Sequence, residues 1–158
     1  MAEREVYVHK WHLKMVKDEQ YKSPGKGDDP YAIYALCHEA GLDARPEEHV
    51  SVFFLSNRLD VIGFSEVAHG GATKSIVSMQ NIFKRALLCN ASAFILVHNH
   101  PSGGEPVPSQ DDYDITKAVS DSAKILGIKF VDHIILSPDP GKFYSMASNQ
   151  SDMYIFRQ

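Results

Sequence analysis

Apolar positions along this chain recur with two different periods, and the changes between them predict an alternation of helices and strands. Asp29-Pro30 opens a helix, with Asp as the cap and Pro at the first helical position; Ile33, Leu36 and Cys37 supply its apolar side until Gly41 stops it. Val50 to Leu55 is β-branched and aromatic and predicts a strand. Asn57-Arg58-Leu59-Asp60 turns it into a second strand through Val61, Ile62 and Phe64, which makes a hairpin. After Gly70-Gly71 a short strand is expected at Ser75-Ile76-Val77, and the spacing of Ile82, Phe83, Ala86 and Leu87 predicts a helix ending at Asn90. The apolar run Ala93-Phe94-Ile95-Leu96-Val97 follows as a strand. Beyond Ser109, a helix face of Ile115, Val119 and Leu126 stops at Gly127; Lys129 to Leu136 returns as a strand, and Phe143 to Met146 adds a short one. A strand-like piece around Val6 and Val8 precedes the loop residues Ser23-Pro24-Gly25-Lys26-Gly27. The tail after Ala147 is too short to assign.

Strands and helices are mixed rather than segregated, which predicts an α/β (α+β) fold. With 158 residues, 44% of them hydrophobic, the chain is long enough for one full core and short for two. The expected division is an N-terminal extension over 1–27, one domain over 28–147 and a C-terminal tail over 148–158. A net charge of -4 and a pI near 6.0 argue against a broad nucleic-acid surface, with a local patch of Lys74, Lys84 and Arg85 left open. Cys37 and Cys89 form no Cys-x-x-Cys pair, and neither a leader nor a membrane-spanning stretch is evident, so a reducing cytoplasm and no membrane association are expected.

The chemistry concentrates between His98 and Asp112. His98 and His100 stand one residue apart at the end of the apolar run, so on an extended strand both imidazoles project from one face. A Pro/Gly loop leads to Ser109, and Asp112 falls in the first turn of the following helix, within reach of the same point. Two neutral nitrogens and a carboxylate leave tetrahedral zinc one open position, so one Zn2+ per chain is expected. Ser109 followed three residues later by an acid is also a capping box, a reading that needs no metal. His133 lies inside an apolar strand and reads as a satisfied, buried or semi-buried histidine. His9, His12, His38, His49 and His69 read as surface or local structure, and Trp11 with Tyr7 as a small fringe core or an anchor for a partner.

His98-Asn99-His100-Pro101-Ser102-Gly103, then Pro108-Ser109 and Asp112, followed by Leu126-Gly127-Ile128 and Asp132-His133-Ile134-Ile135, resembles the RadC-like JAB/MPN domain of the JAMM metallopeptidase superfamily. The similarity spans roughly Pro46 to Met146. It implies a curved mixed sheet flanked by helices, as in cytidine deaminases. It also implies a glutamate just before the first core strand: Glu48 aligns best and Glu47 is the fallback. On that pattern His98, His100 and Asp112 would hold zinc, Glu48 would be general base and acid, and Ser109 would donate to the oxyanion of a tetrahedral intermediate. The stretch Pro101 to Pro108 is one residue longer than the family pattern, with the surplus around Gly104-Glu105-Pro106. An outward bulge there is expected to leave the ends in place; with another register, Asp111, or less readily Asp114, would replace Asp112.

The function expected is a zinc-dependent metallopeptidase or isopeptidase-type hydrolase acting on a peptide or isopeptide bond, of a family associated with DNA repair. The alternative is a non-catalytic metal-binding module in a DNA-associated or mobile-element system. DNA-associated protein partners fit both readings, direct nucleic-acid binding is not expected, and a homo-oligomer stays open. The contiguous His-Asn-His string does not match an HNH nuclease, whose residues are dispersed, and a zinc deaminase would need His-x-Glu and Pro-Cys-x-x-Cys, which are missing. The residues before Asp28 are too few for the helix-hairpin-helix region that RadC-like chains often carry.

Overall fold

A computed structural model describes residues 8–10, 12, 14–70 and 77–157. The expected strand-like piece at Val6, the short strand at Ser75-Ile76, and Tyr7, Trp11 and Lys74 lie outside the described residues. Within them the chain forms α1 (Pro30–Glu39), β1 (His49–Leu55), β2 (Val61–His69), α2 (Met79–Leu88), β3 (Ala93–Asn99), α3 (Gln110–Leu126), β4 (Lys129–Leu136), β5 (Phe143–Ser145) and a 3-10 turn at Met153–Phe156. The local reasons are those the sequence offers. Asp29 caps α1 by accepting from Tyr31 N and Ala32 N, and Gly127 closes α3 in the left-handed conformation at φ 67°.

The strands make one open mixed sheet in the order β2-β1-β3-β4-β5. This is a single α/β domain, as the alternating pattern predicts. β1 runs antiparallel to both β2 and β3, β3 and β4 are parallel, and β5 returns antiparallel. A parallel pair needs a crossover, and α3 supplies it.

All seven residues of β3 are buried, because helices cover both faces of the sheet. Phe94 and Leu96 face a cluster that includes Ile82, Phe83 and Ala86 of α2 and Ile115, Val119 and Ala123 of α3. Ile95 and Val97 face the cluster built on Ile33, Leu36 and Cys37 of α1. A central strand covered on both sides reads as a continuous apolar run rather than an alternation. Strand alternation then assigns His98 to the α3 side and Asn99 to the α1 side.

The segment after Ala147, too short to assign from its residues, is ordered by packing. Its 3-10 turn packs onto the domain: Ile155 is buried, the Ile155 carbonyl accepts from Ser120 Oγ at 2.6 Å, and Phe156 lies 5.0 Å from the Phe130 ring. Four residues are too few to show a period, so contacts with α3 and β4 create this element rather than local propensity.

Candidate metal centre

The site forms where three chain ends meet: the start of β1, the end of β3 and the start of α3. Antiparallel pairing sets Val50 opposite His98, so the residues just before β1 lie beside those just after β3. The crossover brings the first turn of α3 back over the same end of the sheet. Crevices at the carboxyl ends of parallel strands, where helix N-termini gather, are the usual location of sites in such sheets.

His98 Nε2 and His100 Nε2 approach to 2.9 Å. Asp112 Oδ1 lies 3.1 Å from the first and Asp112 Oδ2 3.5 Å from the second, while Glu48 Oε1 is 3.7 Å from His100 Nε2. Glu48, His98 and His100 present donor atoms all within 4.8 Å of one another. For zinc–nitrogen bonds of 2.0–2.1 Å, tetrahedral geometry places donors about 3.3 Å apart, so the imidazole and Asp112 edges match such an ion. Two histidine nitrogens facing each other this closely need either a shared proton or a cation between them. The donor set, two imidazoles with carboxylates, suits zinc chemically.

The fixed side of the site is deeply buried. His98 and Asp112 are each 1% exposed. Ser109 anchors Asp112 twice, donating from its backbone N and from Oγ to Asp112 Oδ2, both at 2.7 Å, while Ser109 Oγ accepts from Asp112 N at 3.2 Å. The capping box is therefore present, and it aims Asp112 at the histidines. Burial works to raise the Asp112 carboxyl, but hydrogen bonds from His100 and His98 outweigh it and hold the group well below the usual carboxylate range. Asp111 and Asp114 are exposed on α3, with Asp114 accepting from Gln110 Nε2 at 3.0 Å. The structure thus brings Asp112, rather than either alternative, to the histidines.

The surplus residue in the preceding loop bulges away from the site. Gly103 and Gly104 adopt φ of 74° and 83°, a region that favours glycine. Gly104 N donates to Asp139 Oδ2 at 3.1 Å, Ser137 Oγ donates to the Gly104 carbonyl at 2.9 Å, and Lys142 pairs with Glu105 at 2.9 Å. The turn between β4 and β5 therefore takes up the extra length, and Ser109 and Asp112 still arrive at His98.

Glu48 is positioned through its neighbours. Asn99 Nδ2 donates to the Glu47 carbonyl at 2.9 Å and the Arg45 carbonyl at 3.2 Å, and Asn99 Oδ1 accepts from His49 N at 2.8 Å. This buried amide clamps the chain on both sides of Glu48. A further brace comes from Glu66, which accepts from Arg45 and lies 3.0 Å from His49 Nδ1. Glu47 itself is exposed.

Sequence reasoning assigned no role to Asn99, His133 or Thr116. His133 is buried as expected, but it is part of the site's support: its Nε2 lies 2.8 Å from His98 Nδ1, and its Nδ1 lies 2.6 Å from Thr116 Oγ1. Burial, then the electrostatic influence of the neighbouring His98, hold the His133 imidazole well below the usual histidine range. The available signals were Thr116 one helical turn after Asp112, and a histidine immediately before the apolar end of β4. Next to it, burial pushes the Asp132 carboxyl up to about 6, against hydrogen bonds from Ser145 Oγ and from the backbone N–H groups of Ala147 and His133.

A family model for the RadC-like JAB domain matches residues 28–151. Among curated proteins, a UPF0758 protein of Thermotoga maritima is 37% identical over 124 residues, covering 78% of this chain and 54% of its own length. One from Desulfitobacterium hafniense is 44% identical over 89 residues, 56% of this chain and 39% of its own. One from Actinobacillus pleuropneumoniae is 36% identical over 118 residues, 75% and 52% respectively. The chain spans about half the length, or less, of these relatives. Among the described residues no helix is long and apolar enough to cross a membrane.

Proposed function

The chain belongs to the RadC-like JAB domain family, and on that premise we propose that it is a zinc-dependent hydrolase of the metallopeptidase or isopeptidase type. The observation that carries this reading is that Asp112 and Glu48, from two other parts of the chain, both approach the His98–His100 pair. His98, His100 and Asp112 would hold the ion; one zinc supplies a Lewis acid and a nucleophile available at neutral pH.

The chain's own residues divide the remaining work. Asp112 is buried and fixed by Ser109, which suits a ligand; Glu48, 29% exposed at its side chain and farther from the histidines, suits a group that moves protons. Glu48 takes a proton from the attacking water and returns it to the leaving amine, cleaving the amide carbon–nitrogen bond. The Ser109 hydroxyl, which donates to Asp112 Oδ2 in the resting arrangement, turns to donate to the oxyanion of the tetrahedral intermediate. The substrate class is a peptide or isopeptide reached from the open side of the site.

The test is metal content after purification without added metal, compared with the His98→Ala/His100→Ala double variant, followed by chelator-sensitive cleavage of peptide and isopeptide substrates. About one zinc per chain, lost in the variant, together with cleavage is the expected result. Absence of metal even after zinc is supplied overturns the reading. Zinc without cleavage of any peptide or isopeptide leaves a metal-binding module.

A further inference from the structure

Behind the metal centre a loop of polar contacts joins His98 to Asp112 through His133 and Thr116, two residues that have no role in the mechanism above. His98 Nδ1 lies 2.8 Å from His133 Nε2, His133 Nδ1 lies 2.6 Å from Thr116 Oγ1, and Thr116 Oγ1 donates to the Asp112 carbonyl at 2.5 Å. The loop returns to its start because the Asp112 carboxylate faces His98 Nε2 at 3.1 Å. His98 and His133 are each 1% exposed and Thr116 is fully buried, so water cannot substitute for any member.

Donor and acceptor matching gives the loop a direction. The Asp112 carbonyl can only accept, so the Thr116 hydroxyl hydrogen points to it and the Thr116 oxygen is left to accept from His133 Nδ1–H. With its hydrogen on Nδ1 facing Thr116, His133 turns Nε2 to His98, and the 2.8 Å contact is made when that nitrogen accepts from His98 Nδ1–H. With a cation in place of the proton that His98 would otherwise share with Asp112, His98 Nε2 is left without a hydrogen and faces His100 and Asp112. The reverse direction would place a hydrogen on His98 Nε2, where it would meet Asp112 and block a cation. We propose that His133 and Thr116 are positioning residues that set the tautomer and ring orientation of His98, presenting its Nε2 lone pair to a metal ion. Ligating histidines are generally oriented by a partner on the other ring nitrogen, and loss of such partners weakens metal binding about 10- to 100-fold. Here the partner is a second histidine, itself held by a threonine on the helix that carries the carboxylate ligand, so α3 sets both Asp112 and, at one remove, His98.

The inference rests on the metal reading of the site, and the experiment separates the two. Zinc affinity of the full chain is measured by competition with a chelator for the natural protein and for Thr116→Val, Thr116→Ser, His133→Leu and His133→Gln, with thermal unfolding recorded alongside. Nitrogen-15 histidine spectra report the His98 tautomer. Thr116→Val keeps the side-chain shape but leaves His133 Nδ1–H without an acceptor, and we expect zinc affinity about tenfold weaker with a mixed His98 tautomer. Thr116→Ser should restore both. His133→Leu should weaken zinc by about 100-fold, and His133→Gln, which returns an amide oxygen near the lost Nε2, should recover part of that. Folded Thr116→Val and His133→Gln proteins with natural zinc affinity and an unchanged His98 tautomer overturn the relay while the metal reading stands. A natural protein that binds no zinc overturns both.

Discussion

The candidate centre has two halves built on opposite principles. On the inner half, His98 and Asp112 are sealed from solvent and every polar atom around them has a protein partner: Ser109 on one carboxylate oxygen, His133 on the far ring nitrogen. On the outer half, His100 and Glu48 keep side-chain exposures of 20% and 29%, and Asn99 braces the chain on both sides of Glu48. The difference teaches how one small site can serve two ends. Burying polar groups is tolerable only when they are fully paired, and full pairing makes them rigid. Proton transfer and substrate entry need groups that reach solvent, and the strand ends that carry Glu48 and His100 keep that access.

The sharpest way to break this comparison is to remove a member of each half. Asp112→Ala should abolish zinc binding in a metal-content assay and, because the helix cap loses one of its two arms, lower stability by about 1 kcal/mol in denaturant unfolding. Glu48→Gln should instead retain zinc while cleavage falls by roughly 10²- to 10⁴-fold. If Glu48→Gln lost zinc as completely as Asp112→Ala, the outer half would be a ligand and the division would be wrong.

Ser109→Ala tests the residue that borders both halves. A cap role alone predicts about 1 kcal/mol of lost stability with cleavage little changed, whereas an oxyanion donor adds roughly 3 kcal/mol to the barrier. We expect both losses, read from unfolding and from kcat with saturating substrate.

The smallest effect on the site itself should come from Asp132, behind the inner half. A carboxyl whose folded pKa of about 6 stands above its unfolded value of 3.8 binds its proton more tightly in the folded state. The stability it contributes is therefore full below pH 3.8 and is lost as pH rises through about 6. Asp132→Asn can keep the backbone hydrogen bonds on its oxygen and donate to Ser145. Its stability relative to the natural protein should rise by about 3 kcal/mol between pH 3.8 and 7. A flat difference across that range, measured by urea unfolding, would show that Asp132 is not a protonated buried carboxyl.

Much of this molecule was legible in the chain because its signals are local. Asp29-Pro30, Gly127 and the run from Ala93 to Val97 each state their conformation within a few residues, since caps, left-handed positions and apolar runs act over one turn of helix or one strand. The pairing of His98 with His100 was legible for the same reason, being fixed by one residue of spacing. Asp112 could be placed near them only on the condition that the longer loop bulged outward, and the anchor that takes up its length, Asp139 and Lys142 across a different turn, has no mark in the loop's own sequence. The 3-10 turn near the end had no local signal at all.

What the sequence determined alone is the succession of elements and the residue types able to hold a metal, because backbone preference and ligand chemistry belong to individual residues. What only the tertiary structure decided is which of those residues meet. Antiparallel registry set Glu48 beside His100 and gave Asn99 its clamp, and the crossover laid Thr116 against His133. The physical reason is that a hydrogen bond is satisfied by whichever group the packed sheet delivers within about 3 Å, and the separation of two residues along the chain carries no record of that.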